Sequence, residues 1–309
     1  MYKRQAYLSG RINASRWGEQ PISFATPQGD ISREFRDELF NSGFTVVGDL
    51  SETDDERFTV IHRNGGSVES GLSNKSLIES ADEGGLISLY WIARIEDMNI
   101  RRDRDLVDWL SNQDYWFTTW GEWVTHQISS LSITVETNYN STTFTNPTLD
   151  IWNTPGTVMV DNVDQYSGLE WSDVQYDPLE KEDRILRAGH REESSGLLYL
   201  TIPPGESVTI YNAKPLTIYH EPSIFNGLKN GVTIAGHHTT NMREWSQDFR
   251  DSPLRFTWLI ERSQVPSPTL VLPLLSISIL IATPIIIKKI IASDKEHQRS
   301  ISGPSMTTP

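Results

Sequence analysis

Four stretches of the sequence carry residue types suited to chemistry. Gly189-His190-Arg191-Glu192-Glu193 brings an imidazole, a guanidinium and two carboxylates together. Such a set suits proton transfer or metal ligation, but no further ligand stands at a metal-like spacing, so a surface loop is the expected role. His237-His238 is an adjacent pair at the end of an apolar run. Neighbouring side chains of a strand point to opposite faces, so both reach one metal only through a bend. Acidic pairs abound, and no spacing singles out two of them as a glycosidase dyad. The fourth stretch is aromatic: Tyr115-Trp116-Phe117, then Trp120 and Trp123. Trp116, Trp120 and Trp123 suit stacking on a sugar, seating at a membrane surface, or packing into a core. The sequence holds no G-x-S-x-G elbow, no phosphate-cradling G-x-x-x-x-G-K-[ST] and no H-E-x-x-H. No catalytic, cofactor-binding or metal-ligating residue is assigned, no cofactor is implied, and a non-enzymatic role is the first expectation.

Composition narrows the classes. The chain has 309 residues, 37% of them hydrophobic and 10% aromatic, which suffices for a folded body with a real core. Its formal net charge is −14, with Lys and Arg scattered among acids, so nucleic acid is excluded as a partner. Cysteine is absent, which excludes disulfides, Cys-ligated zinc and a thiol nucleophile.

Residues that position these groups read as follows. Asp30–Gly43 predicts a helix capped by Asp30, with Ile31, Phe35 and Leu39 on one face and Gly43 at its end. Phe44–Leu50 and Arg57–His62 read as strands joined by an acidic turn, Glu52–Glu56, expected to be a solvated loop. Leu86–Ile95 reads as a central strand, and Arg101–Leu110 as a short helix. Strands are then expected at 116–125, 128–136, 144–152, 156–160, 197–202, 207–211, 216–220, 231–236 and 254–260, punctuated by Pro, Asn and Gly. The expected fold class is α+β, a β-rich body shaped as a barrel or a sandwich.

Val265–Ile287 contains no charged residue over 23 positions, and Lys288 and Lys289 follow at once. At 1.5 Å per residue such a helix spans roughly 34 Å, the thickness of a bilayer's hydrocarbon layer. It is read as a transmembrane helix, and Pro273 and Pro284 inside it are tolerated in lipid. Positive residues favour the cytoplasmic side, so Lys288 and Lys289 mark the membrane boundary and 288–309 forms a short cytoplasmic tail. The body, 6–262, is then expected outside the cytoplasm at the cell membrane. Asn-x-Ser/Thr triplets at Asn13, Asn74 and Asn140 fit that side but carry little weight.

A body on that side needs a targeting segment, and none follows Met1. Tyr2-Lys3-Arg4-Gln5 after Met1 matches the translation of a transposon-end adapter, GTG TAT AAG AGA CAG. Residues 1–5 are therefore expected to be adapter-derived, with the native chain extending upstream of Ala6 into a signal or a first membrane helix.

Several segments resemble a known family. Leu8–Ser15 with Gln20-Pro21-Ile22-Ser23 and Thr26-Pro27 is similar to the opening of the GIDE, or beside-a-membrane (BAM), domain of mulan-type mitochondrial ubiquitin ligases and their prokaryotic relatives. Leu89–Glu96 resembles that family's next strand, Leu149–Asp161 its hairpin, and Leu228–Gly236 the late strand before its second membrane helix. The similarity covers about half of the body, and the insertion between Asp30 and Gly85 departs from the family's compact spacing. The resemblance implies a domain outside the cytoplasm between two membrane helices. It does not bring ubiquitin-ligase activity, because the tail after Ile287 has none of the cysteines of a RING.

The expected function is a membrane-anchored binding or envelope-associated module. Its expected partner is the lipid bilayer, with another membrane or envelope protein as an alternative. A surface hydrolase using carboxylates with the Trp116–Trp123 cluster, and a structural surface protein, are the competing readings.

Overall fold

The computed structural model describes residues 15–26, 31–49, 52–81, 85–93, 104–161, 166–212, 215–238, 256–260, 283–284 and 286–292. The first compact unit ends at Glu261. It is a mixed, β-rich α/β structure that holds one parallel and one antiparallel region.

The parallel region begins with β1 (Ser23–Thr26), α1 (Arg33–Asn41), β2 (Val46–Asp49) and β3 (Thr59–His62), in sheet order β1-β2-β3. A helix between two parallel strands is the crossover that parallel pairing requires. Ser32 caps α1, accepting from the Phe35 N–H, while Asp30 lies outside the described residues. Gly43 ends the turn at φ +84°, where a side chain would be strained. Beyond β3 the chain runs on into β4 (Gly66–Ser67), parallel to β5 (Leu86–Ala93). Asn64 clasps the backbone of β5, donating to the Leu86 carbonyl and accepting from the Ser88 N–H. The β3–β4 stretch thus carries parallel order from the first sheet to the second. There β15 (Asn230–His238) lies beside β5, with β6 (Tyr115–Phe117) and β16 (Phe256–Ile260) along its other edge.

Burial follows from this layering. Leu86, Ile87 and Leu89 are all buried, as a parallel strand covered on both faces demands. A 3-10 turn (Val68–Asn74) leads to α2 (Lys75–Ser80), and α3 (Arg104–Ser111) follows β5. Ile78 of α2 and Leu106 and Leu110 of α3 pack on Ile87, Leu89, Val232 and Ile234. On the first sheet, Leu39 of α1 packs with Phe44, Val47 and Phe58. The other faces share one core in which Val46, Ile61, Leu86 and Ala235 surround residues of α4 (Trp120–Ser132).

The antiparallel region is inserted between α4 and β15. It holds β7 (Thr134–Thr137), β8 (Ser141–Thr145), β9 (Gly156–Asp161), β10 (Tyr166–Trp171), β11 (Gly189–Glu192), β12 (Leu198–Ile202), β13 (Ser207–Asn212) and β14 (Thr217–Tyr219). These form two four-stranded sheets, ordered β10-β13-β8-β7 and β11-β12-β9-β14. Phe144, Val208 and Ile210 of one sheet meet Val158, Val160, Leu198 and Leu200 of the other in a single core. Two sheets closing on a shared core make a sandwich; among the described residues no sheet closes into a barrel.

Several expectations are corrected. Residues 116–125 and 128–136 do not form two strands: β6 ends at Phe117, and a thirteen-residue helix runs from Trp120 to Ser132 before β7. Thr119 and Glu122 form a complete capping box there, which fixes the helix start. The 144–152 strand is shorter and earlier, at Ser141–Thr145. The 149–161 stretch is not a hairpin, because β9 begins at Gly156 and pairs with β12 and β14. Gly189–Glu192 is a strand paired with β12 rather than a loop.

In the second unit, 262–309, residues 286–292 are helical. Among the described residues no helix is long and apolar enough to cross a membrane. Most of the 265–287 run lies outside the described residues, as do residues 1–5.

Candidate functional site

The three tryptophans lie in the core of the parallel region. Trp116 and Trp120 are fully buried and Trp123 is 8% exposed. Each indole N–H is used inside the fold: Trp116 donates to the Ser223 carbonyl, Trp120 to Ser88 Oγ and Trp123 to the Gly85 carbonyl. Trp120 sits so close to Gly48 that a Cβ there would lie 2.4 Å from the ring, so β2 carries glycine at that point. Their geometry is that of a packed, hydrogen-bonded core.

The Gly189–Glu193 set is a clamp. Arg191 Nε donates to Asn226 Oδ1 at 2.9 Å, and Nη2 donates to the Asn226 carbonyl and to Glu193 Oε1. Asn226, 1% exposed and at φ +51°, passes the link on, donating to the carbonyls of Glu180 and Asp183. His190 is half-buried against Trp171, and burial lowers its pKa while Glu192 opposes the shift. For His237-His238 the backbone register places both residues at the carboxyl end of β15, opposite Ile92 and Ala93 of β5. Asn74 is buried and its amide donates to the Ser67 carbonyl, which removes it from glycosylation in the folded state.

A buried histidine that the sequence reading passed over joins the two regions. His126 of α4 is fully buried, with Nδ1 2.6 Å from the Pro155 carbonyl and Nε2 3.0 Å from the Ile224 carbonyl. Only a protonated imidazole donates from both nitrogens, while burial disfavours charge. Burial dominates, and the His126 pKa is lowered against the pull of the two carbonyls.

An open cleft of about 780 Å³ lies beside α1. It is lined by Ile31, Ser32 and Arg36 from the helix start, Glu52, Thr53 and Asp54 from the turn after β2, and Val60 and His62 from β3. Topology builds it. Because β1, β2 and β3 run parallel, the start of α1, the turn after β2 and the end of β3 converge at one edge. Arg36 crosses the cleft, Nη1 donating to Asp54 Oδ1 at 2.7 Å and to Thr53 Oγ1 at 3.1 Å. Its Nε–H makes no hydrogen bond among the described residues, and the nearest Asp55 oxygen is 4.0 Å away. The Arg36 guanidinium, an imidazole and the first turn of a helix favour an anionic or strongly polar ligand group. The carboxylates of Glu52 and Asp54 can accept from hydroxyl or amine groups of the same ligand. Among the described residues no group of three or more His, Asp or Glu side chains is placed to hold a metal ion.

Sequence reading missed this cleft, because Glu52–Glu56 reads as a solvated turn and nothing in the sequence brings Arg36 to Thr53. Compared with known proteins, the chain matches no family model, no curated protein and no solved structure.

Proposed function

We propose that this chain is a membrane-tethered binding module whose folded body stands outside the cytoplasm and takes a small polar, anion-bearing ligand. The carrying observation is that one chain combines a cleft built at the carboxyl ends of parallel strands with a 23-residue run free of charge, Val265–Ile287. In open parallel sheets, ligands bind at that edge, where loops and helix starts gather. An uncharged run of that length fits the hydrocarbon layer. The resemblance to the beside-a-membrane domain supports the same layout. The hydrolase alternative has less support: the tryptophans are buried, and the cleft acids Glu52 and Asp54 have no indole among the cleft's lining residues.

The test is nuclear magnetic resonance of the detergent-solubilised full chain titrated with glucuronate, a probe that bears one carboxylate and several hydroxyls. The Arg36 Nε–H and His62 signals are expected to shift in a saturable way, and Arg36→Met is expected to abolish the shift while leaving the fold intact. Unmoved Arg36 and His62 signals at millimolar probe would overturn the cleft as a site for such ligands.

A further inference from the structure

The helical segment 286–292 runs straight through the lysine pair that sequence reading places at the membrane boundary. Ile286, Ile287, Ile290 and Ile291 are each more than half exposed. At 3.6 residues per turn these four share an arc of about 140°, and Lys288 and Lys289 fall on the remaining face. Four exposed isoleucines on one side and two lysines on the other form an amphipathic surface.

Charge selects the occupant. From Ile286 to Pro309 the sequence carries four basic residues, Lys288, Lys289, Lys295 and Arg299, against two acids, Asp294 and Glu296. The chain as a whole carries −14. A net-positive segment in an acidic chain therefore adjoins the apolar stripe, a combination that matches anionic headgroups above a hydrocarbon layer.

We infer that residues 286–292 lie in the headgroup region of an anionic phospholipid leaflet, with Ile290 and Ile291 in the acyl boundary and Lys288 and Lys289 on lipid phosphates. This rests on the membrane-tether reading and moves the lipid contact one turn past the lysine pair. Lysine stems cover apolar surface while their ammonium groups reach the phosphates, so an internal lysine pair does not end the buried stripe. Two lysines near an anionic surface are worth about 30-fold in local partition.

Because the chain has no cysteine, single probes can be placed without background. Full-length Ser278→Cys and Ile290→Cys, each carrying an environment-sensitive dye, are reconstituted into phosphatidylcholine vesicles or an equal mixture with phosphatidylglycerol. Aqueous acrylamide, an uncharged quencher, then reports exposure. The expected result is protection at 278 in both vesicles, and protection at 290 several-fold greater in the mixed vesicles. Adding Lys288→Gln and Lys289→Gln is expected to remove that excess. A protected 278 with an acrylamide-accessible 290 would overturn the inference and leave the tether standing. Equal protection at 290 in both vesicles, unchanged by the lysine substitutions, would overturn the anionic choice. Exposure at both positions would overturn the tether and the inference together.

Discussion

The parallel and antiparallel regions solve the same problem by different means. In the sandwich, Phe144, Val208 and Ile210 of one sheet meet Val158, Leu198 and Leu200 of the other in a shared apolar core. In the parallel region β5 is covered on both faces, and the interior is closed by a helix that ends its indoles on strand and loop acceptors. Where the regions meet, Trp152, Leu179 and Leu186 of the insert join the core around α4, and a set of polar contacts lies beside them. Thr125 shares a hydrogen bond with Thr154, Ser130 Oγ accepts from the Thr157 N–H, and Asn146 donates to Ser129 Oγ. Apolar packing stabilises both regions and their junction, and the buried hydrogen bonds of α4 fix the register in which they join.

That division yields tests in descending order of effect. Trp120→Ala removes the side chain that fills the space beside Gly48 and leaves Ser88 without its donor. It is expected to cost about 3–5 kcal/mol. Ile210→Ala, buried in the sandwich, is expected to cost about 2–5 kcal/mol by the cavity it leaves. Urea unfolding followed by tryptophan fluorescence measures both. A single shared transition in each variant is the expected outcome, and two separate transitions would show that α4 does not couple the regions.

The joint itself is probed next. A Cβ on Gly156 would lie 2.5 Å from the Ser129 carbonyl carbon and the Ser130 nitrogen, which are backbone atoms that cannot step aside. Gly156→Ala is expected to cost about 1–3 kcal/mol by overpacking and to loosen hydrogen exchange in α4 and β9 together. Exchange loosened in β9 alone would contradict the joint.

The smallest effect depends on pH. Above 6.5, the ordinary value, His126 is neutral whether folded or unfolded. As the pH falls below it, the unfolded chain takes up a proton that the buried ring resists, so the folded state loses stability until the lowered folded value is passed. His126→Gln keeps one amide donor and does not titrate. The stability gap between wild type and this variant is therefore expected to narrow from pH 7 to pH 5 in urea titrations. A gap that widens on acidification would mean that the two carbonyls outweigh burial.

The sequence made part of this architecture readable. Gly43 marked the end of α1, and the apolar runs marked β5, β12 and β15, because these elements bury the faces their patterns display. The α4 helix was misread because its first seven residues are all buried, which leaves no polar stripe at a 3.6-residue period. Its one legible sign was the capping box, Thr119 with Glu122. The parallel order of β1–β3 was implicit in the strand–helix–strand sequence from Ser23 to Asp49, but β1 is too short to stand out. The cleft was not legible, since it arises from three loops brought to one edge by pairing register.

Protease added to intact cells, followed by detergent phase partition of the products, tests the central claim most directly. The predicted result is that untreated full-length protein partitions into detergent, and that protease frees the folded body from the cells. A full-length chain that stays in the aqueous phase, or a body that protease leaves untouched on intact cells, would contradict it.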